Sequence, residues 1–162
     1  MAVLDLEPTQ HPWLDAAPFR AHVEHLMSVG SLTAADVAVL AGLPTTAVHH
    51  LVHGWRGRPR RRIHPPHAAR LFAVTALEAS LVRSRTVPSA RTRLALACLT
   101  ESGWSLDRLA AHTGLAVTEI AAILDERRAR CPQLVELRVA AAARRLPVHT
   151  AFDQPEPDTV AA

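Results

Sequence analysis

The chain has 162 residues, enough for one ordinary domain or for two small ones with a modest core in each. All 18 basic residues are arginine, which excludes chemistry that needs a lysine, such as a Schiff base or a P-loop. The net charge is only +3, yet residues 20–85 hold nine Arg against three acids, residues 86–146 nine against six, and the two ends, 1–19 and 147–162, three acids each and no Arg.

A basic surplus concentrated in one stretch suits a polyanionic partner better than a neutral ligand. Residues 1–14 lack periodicity and are rich in turn formers, so they read as a disordered N-terminal arm. Asp5, Glu7 and Pro8 interrupt any apolar run there, which argues against a signal peptide. No segment approaches the roughly 20 apolar residues that span a bilayer. The expectation is a soluble, cytoplasmic, nucleoid-associated protein with no membrane partner.

The first helix is predicted from about Ala16 to Val29, where Phe19, Val23, Leu26 and Met27 form one stripe, and Gly30 ends it. Thr33 is placed to cap the next helix, with Asp36 three residues on. Two helices follow, broken at Gly42–Pro44 and closed by Gly54. The arginine-rich stretch from Trp55 to Arg62 cannot be core; Trp55 itself is expected to pack over the following helix. Arg60–Ile63 reads as a loop, because Pro65 and Pro66 open a fourth helix that should bury Leu71, Phe72, Val74 and Leu77. Ser84–Pro88 reads as a linker.

From Ser89 the plan returns. A helix with Leu94, Leu96, Ala97, Cys98 and Leu99 on its buried side precedes Gly103, Trp104 as core, a cap at Ser105 and two more helices within 106–125. Pro132 opens a last helix carrying Leu134, Val135, Leu137 and Val139 to about Leu146. The Pro-rich, acidic tail 148–162 is expected to be disordered. Strand signals are absent.

Residues 34–53, AADVAVLAGLPTTAVHHLVH, carry the offsets of a helix-turn-helix. Two steeply crossing helices need a small residue where they touch, Ala38, and a residue tolerating positive φ in the turn, Gly42. Val37, Leu43, Val48 and Leu51 then seal the unit. At an offset of 72 residues the pattern recurs as Leu109, Ala110, Gly114, Leu115, Ile120 and Ile123. The expected fold is all-α: two tandem helix-turn-helix units of about four helices each, at 15–85 and 86–147, between acidic termini.

In such a motif the N-terminal part of the second helix meets base edges in the major groove. Over residues 45–53 the outward positions are Thr45, Thr46, His49 and His50. Thr can touch a thymine methyl and His can donate to guanine acceptors. Arg56, Arg58, Arg60, Arg61 and Arg62 can reach phosphates, which fixes register without reading sequence.

DVAVLAGLPTTAVHHLVHG resembles the helix-turn-helix of lactose-repressor and lambda-repressor/Cro type regulators. The continuation through Arg62-Ile63 and Ala69-Arg70-Leu71 resembles small DNA-binding proteins of actinobacteria and their phages. The resemblance covers residues 18 to 80 and, more loosely, 90 to 145. It implies an all-α fold and sequence-specific binding of double-stranded DNA. Pro44 departs from the Ser cap usual in such proteins, which leaves Thr45 to cap the helix. No ligand-binding domain of the lactose-repressor kind is expected within these 162 residues.

In the second copy the outward positions are Val117, Thr118, Ala121 and Ala122, with Glu119, Asp125 and Glu126 nearby and Arg127 and Arg128 following. Alanines and carboxylates make poor DNA contacts, so this face is expected to be covered by protein, through packing or dimerisation; the arginine run after it partly restores positive charge and leaves a second DNA face as the alternative. The ten histidines include pairs at metal spacing, but no CxxC or HExxH accompanies them, and neither a metal nor another cofactor is expected. Cys98 and Cys131 have no metal spacing and are expected to be reduced thiols. No phosphate loop, nucleophile elbow or convergent Ser/His/Asp set points to an enzyme. The function expected is transcriptional regulation, as a repressor and homodimer on DNA. The alternatives are an adaptor that docks a transcription-machinery protein through the second copy, and a phage or plasmid replication or partition protein.

Overall fold

A computed structural model of the protein describes residues 13–145. The expectations of disorder in the acidic tail and in all but the last two residues of the N-terminal arm fall outside that range. The described chain is mostly helical, with two small two-stranded sheets. In chain order the elements are β1 (Leu14–Asp15), α1 (Ala17–Gly30), α2 (Ala34–Leu40), α3 (Thr45–His53), β2 (Arg62–Ile63), α4 (Pro65–Ala73) and α5 (Ala76–Leu81). Then follow β3 (Thr86–Pro88), α6 (Ala90–Glu101), α7 (Leu106–Thr113), α8 (Val117–Leu124), β4 (Arg130–Pro132) and α9 (Gln133–Ala143). Among the described residues no single helix is long and apolar enough to cross a membrane.

Local chemistry accounts for the helix ends. Thr33 and Asp36 form a capping box: the Asp36 N–H donates to Thr33 Oγ1 at 3.2 Å and the Thr33 N–H to Asp36 Oδ2 at 3.0 Å. At the other end of α2, Gly42 has φ +63° and donates to the Val39 carbonyl, while the Leu43 N–H donates to Ala38. That pair of bonds is a Schellman motif, and it turns the chain into α3 over a left-handed glycine. Ser105 caps α7 in the same manner as Thr33 caps α2, accepting from the Arg108 N–H.

Two hydrophobic cores result. The first gathers Phe19, Val23 and Leu26 of α1, Val37 and Ala38 of α2, Val48 and Leu51 of α3, and Leu71 of α4. The second gathers Leu96, Leu99, Leu109, Ile120, Ile123 and Val139. Leu134, at the start of α9, belongs to the first core, and Leu137 packs against it. An ion pair with a buried carboxylate and a half-buried guanidinium joins α2 to α9: Arg138 Nη2 lies 2.7 Å from Asp36 Oδ1.

Several sequence expectations need correction. The first half contains five helices, not four: Val74 is extended and Thr75 caps a separate α5 by accepting from the Glu78 N–H. A β-branched residue whose hydroxyl can cap is a poor helix interior, so α4 stops there. Leu77 is therefore 68% exposed, and Phe72 is 53% exposed with its ring edge-on to Phe19.

Strands do exist. Leu14 pairs with Ile63 and Asp15 with Arg62, so the end of the arm closes onto what was read as a loop. The linker 84–88 contains β3, which pairs antiparallel with β4, Val87 opposite Cys131. In α6 the buried stripe is Thr92, Leu96 and Leu99. Leu94 and Cys98 each stand two residues from Leu96, about 200° around the wheel, and are exposed. Trp104 is only partly buried, at the edge of the second core, with the Arg108 guanidinium 3.8 Å from its ring centroid.

Candidate nucleic-acid interface

Val48 and Leu51 anchor α3 from below, 1% and 2% exposed, and this orientation turns the opposite face of the helix outward. Thr46, His49 and His53 are exposed; Thr45 and His50 are half-buried. Thr45 does not cap the helix. It is the first helical residue, Pro44 occupies the cap position without a side-chain bond, and Thr45 Oγ1 lies 3.5 Å from Arg145 Nη2. The His49 and His53 rings lie 4.6 Å apart, one turn along the helix. Trp55 does not pack over α4; it stands edge-on to His50 at 4.6 Å and remains largely exposed.

After α3 the chain makes a tight hairpin that sequence reasoning missed. Trp55 and Arg58 exchange both backbone hydrogen bonds, at 2.9 and 3.0 Å, and Arg56 and Gly57 between them have φ +49° and +74°. Positive φ at both central residues marks the type I′ turns that join twisted strands. Gly54 makes the hairpin possible, since a Cβ there would lie 2.4 Å from the Arg58 carbonyl oxygen. Arg-Gly was the available signal, but a non-glycine residue at the first left-handed position is uncommon enough to hide it.

The hairpin presents Arg56 and Arg58 to solvent, and Arg60, Arg61 and Arg62 follow, all exposed. Among the described residues none of the five pairs with a carboxylate. Arg20 of α1 holds the base of this run: its Nε donates to the Leu51 carbonyl at 2.8 Å and its Nη2 to the Arg60 carbonyl at 2.6 Å. Arg20 was not among the expected functional residues, because its two acceptors are backbone groups 31 and 40 residues away. His67 of α4 lies beside the same run. Burial, with His64, Arg60 and Arg70 adding like charge, holds its imidazole below the ordinary histidine range.

The corresponding face of the second half has a different charge economy. Val117, Ala121 and Ala122 are half-buried and Thr118 is exposed. Arg128 bonds to Glu119, Arg127 Nη2 to Asp125 at 2.9 Å, and Arg93 to Glu126. The Arg128 hydrogen bond, and a second from the Ala116 N–H, hold the Glu119 carboxyl below the usual carboxylate range. α8 packs on α6 and α7; it is α9, not α8, that packs on α2 of the first half.

Among the described residues no group of three or more His, Cys, Asp or Glu is placed to hold a metal ion. His22 Nε2 instead lies 3.2 and 3.1 Å from the Leu71 and Val74 carbonyls, tying α1 to the end of α4. Cys131 is buried with its Sγ 3.2 Å from Thr92 Oγ1, and neither cysteine is in a disulfide. Comparison with known proteins finds no matching family model, no similar curated protein and no similar solved structure.

Proposed function

We propose that the protein binds double-stranded DNA with sequence specificity and regulates transcription, as a repressor, with α3 in the major groove. One observation carries the reading. The exposed face of α3 offers Thr46 and His49 as hydrogen-bonding groups beside five arginines that have no carboxylate partner among the described residues. A row of unneutralised cations on a loop repels itself and is relieved by a polyanion, while the helix beside it supplies direct readout.

The halves are read as copies of one unit. In both, the order is strand, three helices, strand, helix, and α6, α7 and α8 begin 72 or 73 residues after α1, α2 and α3. Only the first copy keeps a polar outer face on this helix, with Thr46, His49 and His53 exposed. The protein would act as a homodimer, its two α3 helices reading half-sites about 34 Å apart.

Selection of bound fragments from random duplex DNA tests the reading, followed by salt titration on the selected and a scrambled sequence. A regulator gives a specificity ratio of at least about 10³ and a slope of log K against log[salt] near −4 to −5 for four to six phosphate contacts. A ratio near unity would instead favour an adaptor tethered to DNA. Leu77 and Leu81 are the observation on that side: one turn apart on α5, exposed and apolar.

A further inference from the structure

The turn between α2 and α3 borders a cavity of about 570 Å³. Its walls come from both halves of the chain: Pro44, Thr45 and Thr46 at the start of α3, Arg70 from α4, and Arg144 and Arg145 just beyond α9. Among the described residues no carboxylate lines it. Arg70 Nη1 donates to the Gly42 carbonyl at 3.1 Å, and Arg144 makes no side-chain hydrogen bond or ion pair among the described residues. Three guanidinium groups sharing one cavity repel one another unless an anion joins them, and a planar guanidinium matches phosphate oxygens well.

The placement of the two C-terminal arginines is built into the fold. Arg138 anchors α9 on the first half: its Nε and Nη2 grip Asp36 Oδ1 at 2.8 and 2.7 Å, and its Nη1 donates to the Thr113 carbonyl at 2.8 Å. Leu134, one turn earlier, belongs to the first core, and Leu137, the residue before Arg138, packs against it. From Arg138 the helix rises about 10 Å to Arg144 and Arg145, which brings them to the first turn of α3. Thr46 is both a wall of the cavity and part of the exposed α3 face, so the cavity is continuous with the reading surface.

We propose that Arg70, Arg144 and Arg145 clamp a backbone phosphate of the duplex that α3 reads, so that the last helix of the second half completes the DNA interface of the first. The proposal rests on the DNA-binding reading above. It commits to a phosphodiester because phosphates flank the N-terminus of a helix seated in the major groove. On this account the second half meets DNA through the end of α9, not through Val117, Thr118, Ala121 and Ala122 of α8.

The test uses the full chain, a duplex oligonucleotide of the selected sequence and its scrambled counterpart, with affinity measured across salt concentrations. R144A/R145A should bind both duplexes at least tenfold more weakly, lower the salt slope by about one, because the clamp holds a single phosphate, and leave their ratio unchanged. Arg70→Ala should weaken both duplexes alike and lower the slope by no more than about one. R85A/R91A removes the same charge away from the cavity and is the control; circular dichroism and melting verify that each variant is folded. If R144A/R145A binds like that control, or changes the ratio instead of the slope, the clamp is wrong and the DNA-binding reading stands. If the wild-type chain binds no duplex at all, both fall together.

Discussion

α3 and α8 are near twins in build. They differ by one residue in length, each follows a capped helix and a left-handed glycine, and each is seated by two fully buried residues, Val48 and Leu51 in one, Ile120 and Ile123 in the other. Their surroundings diverge. Beside α8 the arginines are neutralised locally, Arg93, Arg127 and Arg128 each paired with a carboxylate of the second half, whereas among the described residues Arg56, Arg58, Arg60, Arg61 and Arg62 beside α3 have none. The comparison teaches that the packing of such a motif is separable from its charge. A buried pair and a turn glycine hold the scaffold, and a few carboxylates decide whether its outer face is available to a polyanion.

Four experiments break or sharpen that contrast. The largest effect should be one in which the halves behave alike. Leu51→Ala and Ile123→Ala each empty a site in a closed core, and each should cost about 3 kcal/mol in chemical denaturation. A cost below about 1 kcal/mol at either would show that the corresponding core is loose.

The next effect should separate the halves. His49→Ala should lose about 1–3 kcal/mol of discrimination between the selected sequence and single-base variants. Thr118→Ala, at the matching position to Thr46 on α8, should leave discrimination unchanged. If the two substitutions act equally, the second helix reads DNA as well.

Smaller still is the phosphate contribution. Arg60→Ala should weaken selected and scrambled duplexes alike and reduce the salt slope by about one. Arg128→Ala should leave the slope as it is, since its guanidinium is already committed to Glu119. Equal slopes for wild type and the Arg60 variant would remove that arginine from the interface.

The smallest effect concerns acid. The Glu119 carboxyl is lowered in the folded state, so the unfolded chain binds the proton more readily. The stabilisation is therefore whole above the ordinary glutamate range and disappears as pH falls through the lowered folded value. Glu119→Gln should be the less stable protein at pH 7, by no more than about 1 kcal/mol because the pair is solvent-screened, with the gap closing at low pH. A gap that widens on acidification would mean that Glu119 is not held by Arg128.

What could be read from the sequence was local. Thr33 with Asp36, Gly42 in its turn, and Val48 with Leu51 are relations within five residues, and their geometry follows from helical periodicity and capping. Where periodicity was applied too broadly, as at Leu94 and Phe72, the apolar count was correct and the face was not. The joints between distant segments were out of reach. Arg138 meets Asp36 across 102 residues, Leu14 meets Ile63, and Arg20 ties down the arginine run through backbone carbonyls that carry no residue identity. Of the four expected reading residues, Thr46 and His49 lie on an exposed helix face as periodicity foresaw, while Thr45 and His50 are half-buried; the cavity beside them was not legible, because one wall arrives from the far end of the chain.

Leu134 has a consequence for how the protein comes apart. It is a residue of α9 that fills space in the first core, with 5% of its surface exposed. A fragment ending near residue 85 would leave that socket empty and Asp36 buried without its cation. Heat should therefore melt the whole molecule in one cooperative step, with no plateau at which one half is ordered and the other is not.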